Sequence, residues 1–326
     1  VSTDAVSTET LTKITAGQGA KPSAGRDLPY RVFTWAMLVA GGAIVVYFAY
    51  SIIAESVPGW RKVGWSFFTS TNWDPIAGHF GALALIVGTL LTTAIACLLA
   101  VPVGVGAALC VTYVLPRGAR TIVSSLVELL AIVPSIIYGV WGYLLLEPLI
   151  VNTIGPHLQS LFHSKFPFNG LISGGGLLLG SVVLAVMILP TVAAITRDVF
   201  AAIPDDIVEA GLALGATKGQ VMRRVVLPSS KSGILGASTL GAGRALGETI
   251  AMAILLGGLS TVHPIPVSLF GTAATLASQI AVEFGELTYQ DAFNVMCCLA
   301  VTLMIIVAGV NLAARTVVQR NLRKLR

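Results

Sequence analysis

Two charged residues, Arg244 and Glu248, stand in the stretch Ser238–Ile250, STLGAGRALGETI, with apolar sequence running on beyond it. Four residues apart on a helix, they share one face and are within reach of each other. A guanidinium stays charged in any protein setting, and its planar fork matches the oxygens of a tetrahedral anion. A charge at the centre of a bilayer costs about 2.5–3.5 kcal/mol on insertion scales. Charges placed there face the protein interior and mark a pathway. Two roles fit the pair. It sets helix packing as a structural ion pair, or it handles an anion, with Glu248 holding Arg244 while the path is empty. Gly241, Gly243 and Gly247 beside the pair permit close helix approach. Glu128 is a third charge inside an apolar segment and a further candidate for the same path.

The elements that must position these residues are membrane spans. The chain has 326 residues, of which 55% are hydrophobic and only 11% charged, against about 25% charged in a soluble domain. Its mean hydropathy is +0.86. A bilayer core needs roughly 20 apolar residues per helical crossing. The apolar runs predict an all-α integral membrane protein with six spans, near 32–54, 81–115, 121–149, 171–199, 232–258 and 294–314. The second exceeds one crossing, and Pro102 and Gly104 predict a kink there. Pro134 falls inside the third and Pro190 inside the fourth. The uncharged run 250–282 is long enough to hide a seventh span, but Pro264 and Pro266 interrupt it. Its remainder is short and rich in Ser, Thr and Gln, which predicts a helix in the outer part of the protein or at its surface.

Residues 1–30 are polar and aperiodic and predict a disordered tail, too polar to be the apolar region of a signal peptide. The domain proper is then 31–326. Sixteen of the twenty Lys and Arg residues fall in the tail, the loops 2–3 and 4–5, and the C-terminal segment. Basic residues mark cytoplasmic loops, so both ends are predicted to be cytoplasmic. The four cysteines lie in apolar runs without metal-ligand spacing, and the four histidines, His79, His157, His163 and His263, are scattered. They predict small fillers and no metal site.

Between spans 4 and 5 the sequence reads IPDDIVEAGLALGATKGQVMRRVVLP. Pro204 with Asp205 and Asp206 predicts a helix start, and Gly215 predicts its end. Thr217 and Gln220 have the spacing of a capping box for a second helix, which Pro228 is expected to end. Two short helices at a membrane surface suit docking onto a cytoplasmic partner. This segment resembles the EAA loop of bacterial ABC importer permeases. Glu209, Ala210, Gly215, Leu227 and Pro228 match at the family spacing, while Gly211 replaces the second Ala and Val225 replaces Ile. The resemblance implies a type I ABC importer permease fold and a loop that docks into an ATPase subunit.

The stretches FFTSTNWDP, IVPSIIYGVWG and GRALGETIAM narrow the resemblance to the PstC-type permeases of phosphate-specific importers, over about residues 30–326. This implies a second, PstA-like permease around one pore, two PstB-like ATPase subunits and a PstS-like phosphate-binding protein outside. ATP and Mg would belong to the ATPase. No Gly-x-x-x-x-Gly-Lys-[Ser/Thr] is present, so the chain is expected to hold no nucleotide or other cofactor and not to be an enzyme. Lipid is an expected contact and nucleic acid is not. One Arg does not separate phosphate from sulfate or molybdate. An ion-gradient-driven carrier accounts for intramembrane charges but not for the coupling loop, and an intramembrane sensor remains a further alternative.

Overall fold

The computed structural model describes residues 28–323 apart from 76, 164, 173, 258–264, 266–267 and 286–289. Residues 1–27 of the expected tail, and His263, Pro264 and Pro266, lie outside these residues. The chain divides into two units, Val1–Ser51 and Ile52–Arg326. The described part of the first unit is the start of helix α1 (Leu28–Val63), whose apolar side chains there are almost all exposed. Such a surface suits a lipid solvent, where no water is available to backbone groups and a helix satisfies them internally.

In the second unit α3 runs over Leu83–Val114, preceded by a hairpin of two short strands, β1 (Trp73–Asp74) and β2 (His79–Phe80), and a single helical turn at Ser66–Thr69, here α2. Trp73 pairs with Phe80 and Asp74 with His79. Trp73, Phe80 and Phe67 are buried with Leu85, Cys298 and Leu299, so the hairpin is anchored as an apolar plug. With 32 residues α3 is about 48 Å long at 1.5 Å per residue, well beyond a bilayer core of about 30 Å. Its last turn widens, with Leu115 N–H donating to Cys110 O at 3.0 Å.

The expected span over 121–149 is instead two helices, α4 (Arg117–Ile132) and α5 (Ser135–Leu161). Proline disfavours helical backbone in the residue before it. Val133 accordingly has ψ 128° and the chain turns there, so Pro134 separates two helices rather than kinking one. The Tyr138 hydroxyl ties them together by donating to Leu130 O at 2.8 Å. Of the two, α5 is long and apolar enough to cross.

Helix α6 (Leu177–Ala201) is the most buried of the long helices, and α3 and α4 pack along it. Leu179, Val183, Leu184, Met187 and Ile188 form the centre of the largest apolar cluster. Gly180 opens space for Leu256: a Cβ there would meet Leu256 Cδ2 at 2.5 Å. The connecting segment holds α7 (Asp205–Ala213) and α8 (residues 218–229). The expected fifth span is broken into α9 (Lys231–Leu246) and α10 (Ile250–Leu255). A capped helix, α11 (Leu276–Phe284), follows, and α12 (Gln290–Arg323) ends the described chain.

Helix α11 is too short to cross. It packs against the first turns of α3, with Leu276 N–H donating to Thr89 Oγ1 at 2.9 Å. Among the described residues five uninterrupted helices, α1, α3, α5, α6 and α12, are long and apolar enough to span a membrane. The α9–α10 segment is not among them because its break leaves two helices of 16 and 6 residues.

Candidate functional site

The break in the fifth span is where the two charges sit. Glycine is a poor helix former. At Gly247 the ladder tightens: its N–H donates to Arg244 O at 3.1 Å, and Glu248 N–H donates to Ala245 O at 3.3 Å. Thr249 then leaves the helical run, with its hydroxyl donating to Gly247 O at 2.9 Å, and α10 starts at Ile250. Arg244 thus occupies the last turn of α9, where the helix dipole favours a cation. Glu248 lies in the link.

Arg244 Nε is 3.8 Å from Glu248 Oε1, an ion pair longer than a hydrogen bond. A second group holds the guanidinium: Nη1 donates to Thr191 Oγ1 of α6 at 3.2 Å. The Arg244 side chain keeps 32% of its surface accessible, whereas Glu248 keeps 12%. A guanidinium has five N–H donors, so this one retains capacity toward its accessible side. Of the three neighbouring glycines, Gly241 makes the close approach expected, since a Cβ there would meet Val192 Cγ2 at 2.8 Å. Gly243 faces open space and Gly247 meets only carbonyls of its own helix end.

Glu128 does not join this group. It lies on α4 and pairs with Arg197 Nη1 of α6 at 2.9 Å, with 54% of its side chain exposed. Arg197 also bonds Asp198, at 3.0 Å. Charge counting along the sequence assigns Arg197 to a loop, but it stands inside the last turns of α6. Arg197 and Thr191 are the site residues that sequence reasoning misses. The available signal is weak: a hydroxyl directly after the helix proline Pro190, and an arginine where the apolar run ends.

The segment between α6 and α9 follows its local rules closely. Pro204 precedes α7, whose first turn carries Asp205 and Asp206. Gly215 has φ +84°, a conformation other residues rarely adopt. Both halves of the capping box are present: Gln220 N–H donates to Thr217 Oγ1 at 3.3 Å, and Thr217 N–H donates to Gln220 Oε1 at 2.9 Å. Gly211 has a packing reason, because a Cβ there would meet Val221 Cγ2 at 3.1 Å. Pro228 does not end α8. Proline lacks an N–H, and the helix accommodates it with a widened turn over Met222–Val226, ending at Ser230 instead. Leu227 packs beneath the segment with Val226, Phe200 and Ala108. Glu209, Ala210 and Gly215 are exposed, as is Leu214 at the tip, at 89%.

Long apolar helices, a helix hairpin presented at one end, and a charge pair at a break in a further span define a membrane transport permease. The chain belongs to the family of binding-protein-dependent transport system inner membrane components, whose profile matches residues 100–326. It is similar to the phosphate transport system permease protein PstC of Mesorhizobium japonicum, 41% identical over 276 residues, covering 83% of this chain and 84% of that one. PstC of Xylella fastidiosa is 38% identical over 309 residues, covering 92% and 94%. PstC 2 of Mycobacterium tuberculosis is 39% identical over 296 residues, covering 88% and 91%.

Among solved structures, a chain of a bacterial alginate ABC transporter aligns with a TM-score of 0.58 at 15% identity, covering 92% of this chain and 98% of that one. A chain of the inward-facing MetNI methionine ABC transporter aligns at 0.52 and 23% identity, covering 76% and 98%. The fold is that of a type I ABC importer permease, a multi-pass membrane component that works with other ABC components and is not itself the ATPase.

Proposed function

We propose that this chain is the permease subunit that carries inorganic phosphate inward across the plasma membrane. The substrate assignment rests on the similarity, over most of the chain, to permeases named for phosphate transport. The site chemistry suits it. Arg244 supplies the fixed charge that offsets an anion leaving water, and its fork matches phosphate oxygens. Thr191 steadies the guanidinium from α6, and Glu248 keeps it paired when no anion is bound. Anion binding then exchanges one negative partner for another, so the site neither stays empty nor traps its cargo.

In this reading a PstA-like permease completes the pore, two PstB-like ATPase subunits bind ATP and Mg, and a PstS-like protein delivers phosphate. The α7–α8 segment seats in the ATPase, with exposed Glu209, Ala210, Gly215 and Leu214 toward it and Leu227 and Pro228 at its base. Both chain ends are then cytoplasmic, which agrees with the distribution of Lys and Arg. The reading is tested by ATP-driven uptake of labelled phosphate into proteoliposomes holding the whole complex, with sulfate and molybdate as competitors. Uptake that sulfate or molybdate suppresses at equal concentration would move the assignment to another oxyanion. Uptake driven by an ion gradient without ATP would remove it.

A further inference from the structure

Apart from the Arg244 pair, one surface of the second unit gathers two guanidiniums, a carboxylate and several hydroxyls around one groove. A groove of about 370 Å³ lies between the end of α3, one face of α4 and the last turns of α6. Thr112, Arg120, Ser124, Ser125, Glu128 and Arg197 line it.

Its two guanidiniums are not equivalent. Arg197 is committed to Glu128 and Asp198, and this pairing also offsets the charge of the one lining carboxylate. Arg120 makes a single hydrogen bond, from one Nη to the carbonyl of Thr112. Its Nε is buried with no hydrogen-bond partner, and none of the ion pairs among the described residues includes it. The hydroxyl of Thr112, a residue only 9% exposed, is likewise buried without a partner. Native proteins pair their buried polar groups, so two unpaired ones in residues that line the same groove point to a missing partner. A buried guanidinium hydrogen requires an acceptor, and an anionic one gives the stronger bond. Hydroxyls beside it donate or accept as needed. Together they form the donor set for a tetrahedral oxyanion.

We infer that this groove is a second oxyanion site, with Arg120 as its uncompensated charge and Thr112, Ser124 and Ser125 as its hydroxyls. The ligand is a phosphoryl group, supplied by free inorganic phosphate or by a phospholipid headgroup. The site shares no residue with the Arg244 pair. Arg197 lies six residues beyond Thr191 on α6, so the groove is about 9 Å further along that helix toward the α7–α8 segment. Its placement on the cytoplasmic side rests on the orientation proposed above, but binding itself does not.

The test uses the whole complex carrying Arg244→Gln, purified in phosphate-free maltoside, with labelled inorganic phosphate as the probe in equilibrium dialysis. The path site is then disabled, and saturable binding is expected to remain. Adding Arg120→Gln is expected to weaken that binding about tenfold or more, and Thr112→Val to weaken it several-fold. Arg120→Lys, which keeps the charge, is expected to bind in between and to report assembly. If Arg120→Gln fails to assemble, Thr112→Val and Ser124→Ala carry the test. The second arm counts phospholipids retained per complex by native mass spectrometry. A lipid lost on Arg120→Gln, with no phosphate bound in the first arm, makes the headgroup the ligand. Equal phosphate binding and equal lipid counts with and without Arg120 overturn the inference. This readout is binding without ATP, so its failure is separate from a failure of phosphate import, which is read as ATP-driven uptake.

Discussion

Arg244 and Glu248 face each other at 3.8 Å across the point where α9 ends, close enough to attract and too far to hydrogen bond. The guanidinium's hydrogen bond goes instead to Thr191. An arginine held by a hydroxyl and faced by a loosely placed carboxylate is readily transferred to another anion. This relationship gives the sharpest expectations about transport.

Arg244→Gln keeps a hydrogen-bond donor for Thr191 and removes the charge. Truncating one partner of a buried charge pair costs about 2–5 kcal/mol, so phosphate uptake by the assembled complex is expected to fall roughly 30-fold or more. Arg244→Lys retains charge without the planar fork and is expected to fall between. Near-normal uptake by assembled Arg244→Gln complexes would leave the pair with a packing role alone.

Gly215→Val places a β-branched side chain at φ +84°, at a cost of about 1–2 kcal/mol for left-handed backbone. Since no atom lies within 4 Å of a Cβ there, the strain is confined to the turn. The expected outcome is a complex that reaches the membrane yet hydrolyses ATP without proportionate uptake. Glu209→Lys, which reverses an exposed charge on α7, is expected to do the same. Normal ratios of phosphate moved to ATP hydrolysed in both variants would refute the docking role.

Glu128→Gln removes one side of a half-exposed ion pair, and such pairs contribute about 0–1 kcal/mol. The thermal midpoint of the purified complex is therefore expected to shift little. A large loss of stability would show that Arg197 depends on Glu128 for more than charge pairing.

Gly88 lies where α3 passes the backbone of Ala274, and a Cβ would run into the Ala274 carbonyl oxygen. Because the obstacle is backbone, relief requires moving the chain that leads into α11. Gly88→Ala is expected to cost about 1–3 kcal/mol, read as a lowered thermal midpoint, with Gly106→Ala, which meets no atom within 4 Å, as the neutral comparison.

Sidedness is tested with a single cysteine near residue 326 in a background lacking Cys97, Cys110, Cys297 and Cys298. Protection from membrane-impermeant thiol reagents in intact cells is expected. Rapid labelling there would exclude the orientation drawn from the basic residues.

The long spans are legible in the sequence because an apolar run exceeding the bilayer leaves a helix few alternatives, as at α1, α3, α6 and α12. The α7–α8 segment is legible because its signals are local: a capping box four residues wide and a glycine that sets one turn. Where competing local effects meet, the reading fails. Pro134 sits in an unbroken apolar run, and only the backbone of Val133 decides between kink and separation. Pro228 is absorbed by a widened turn rather than ending its helix. The Glu128–Arg197 pair joins residues 69 apart in sequence, and no periodicity within either helix announces it. The Arg244–Glu248 pair was readable as a neighbour relation, but its hydroxyl partner on α6 was not.

The broken fifth span also bears on how the chain enters its membrane. A helix of sixteen residues with an arginine in its last turn, followed by a glutamate and a six-residue stub, is too short in either piece to cross a bilayer as one helix. It rests against α3, α6 and α12, and α12 is made after it. Two of these precede it in the chain and the third follows, so the set of helices around the two charges is complete only once α12 has been made.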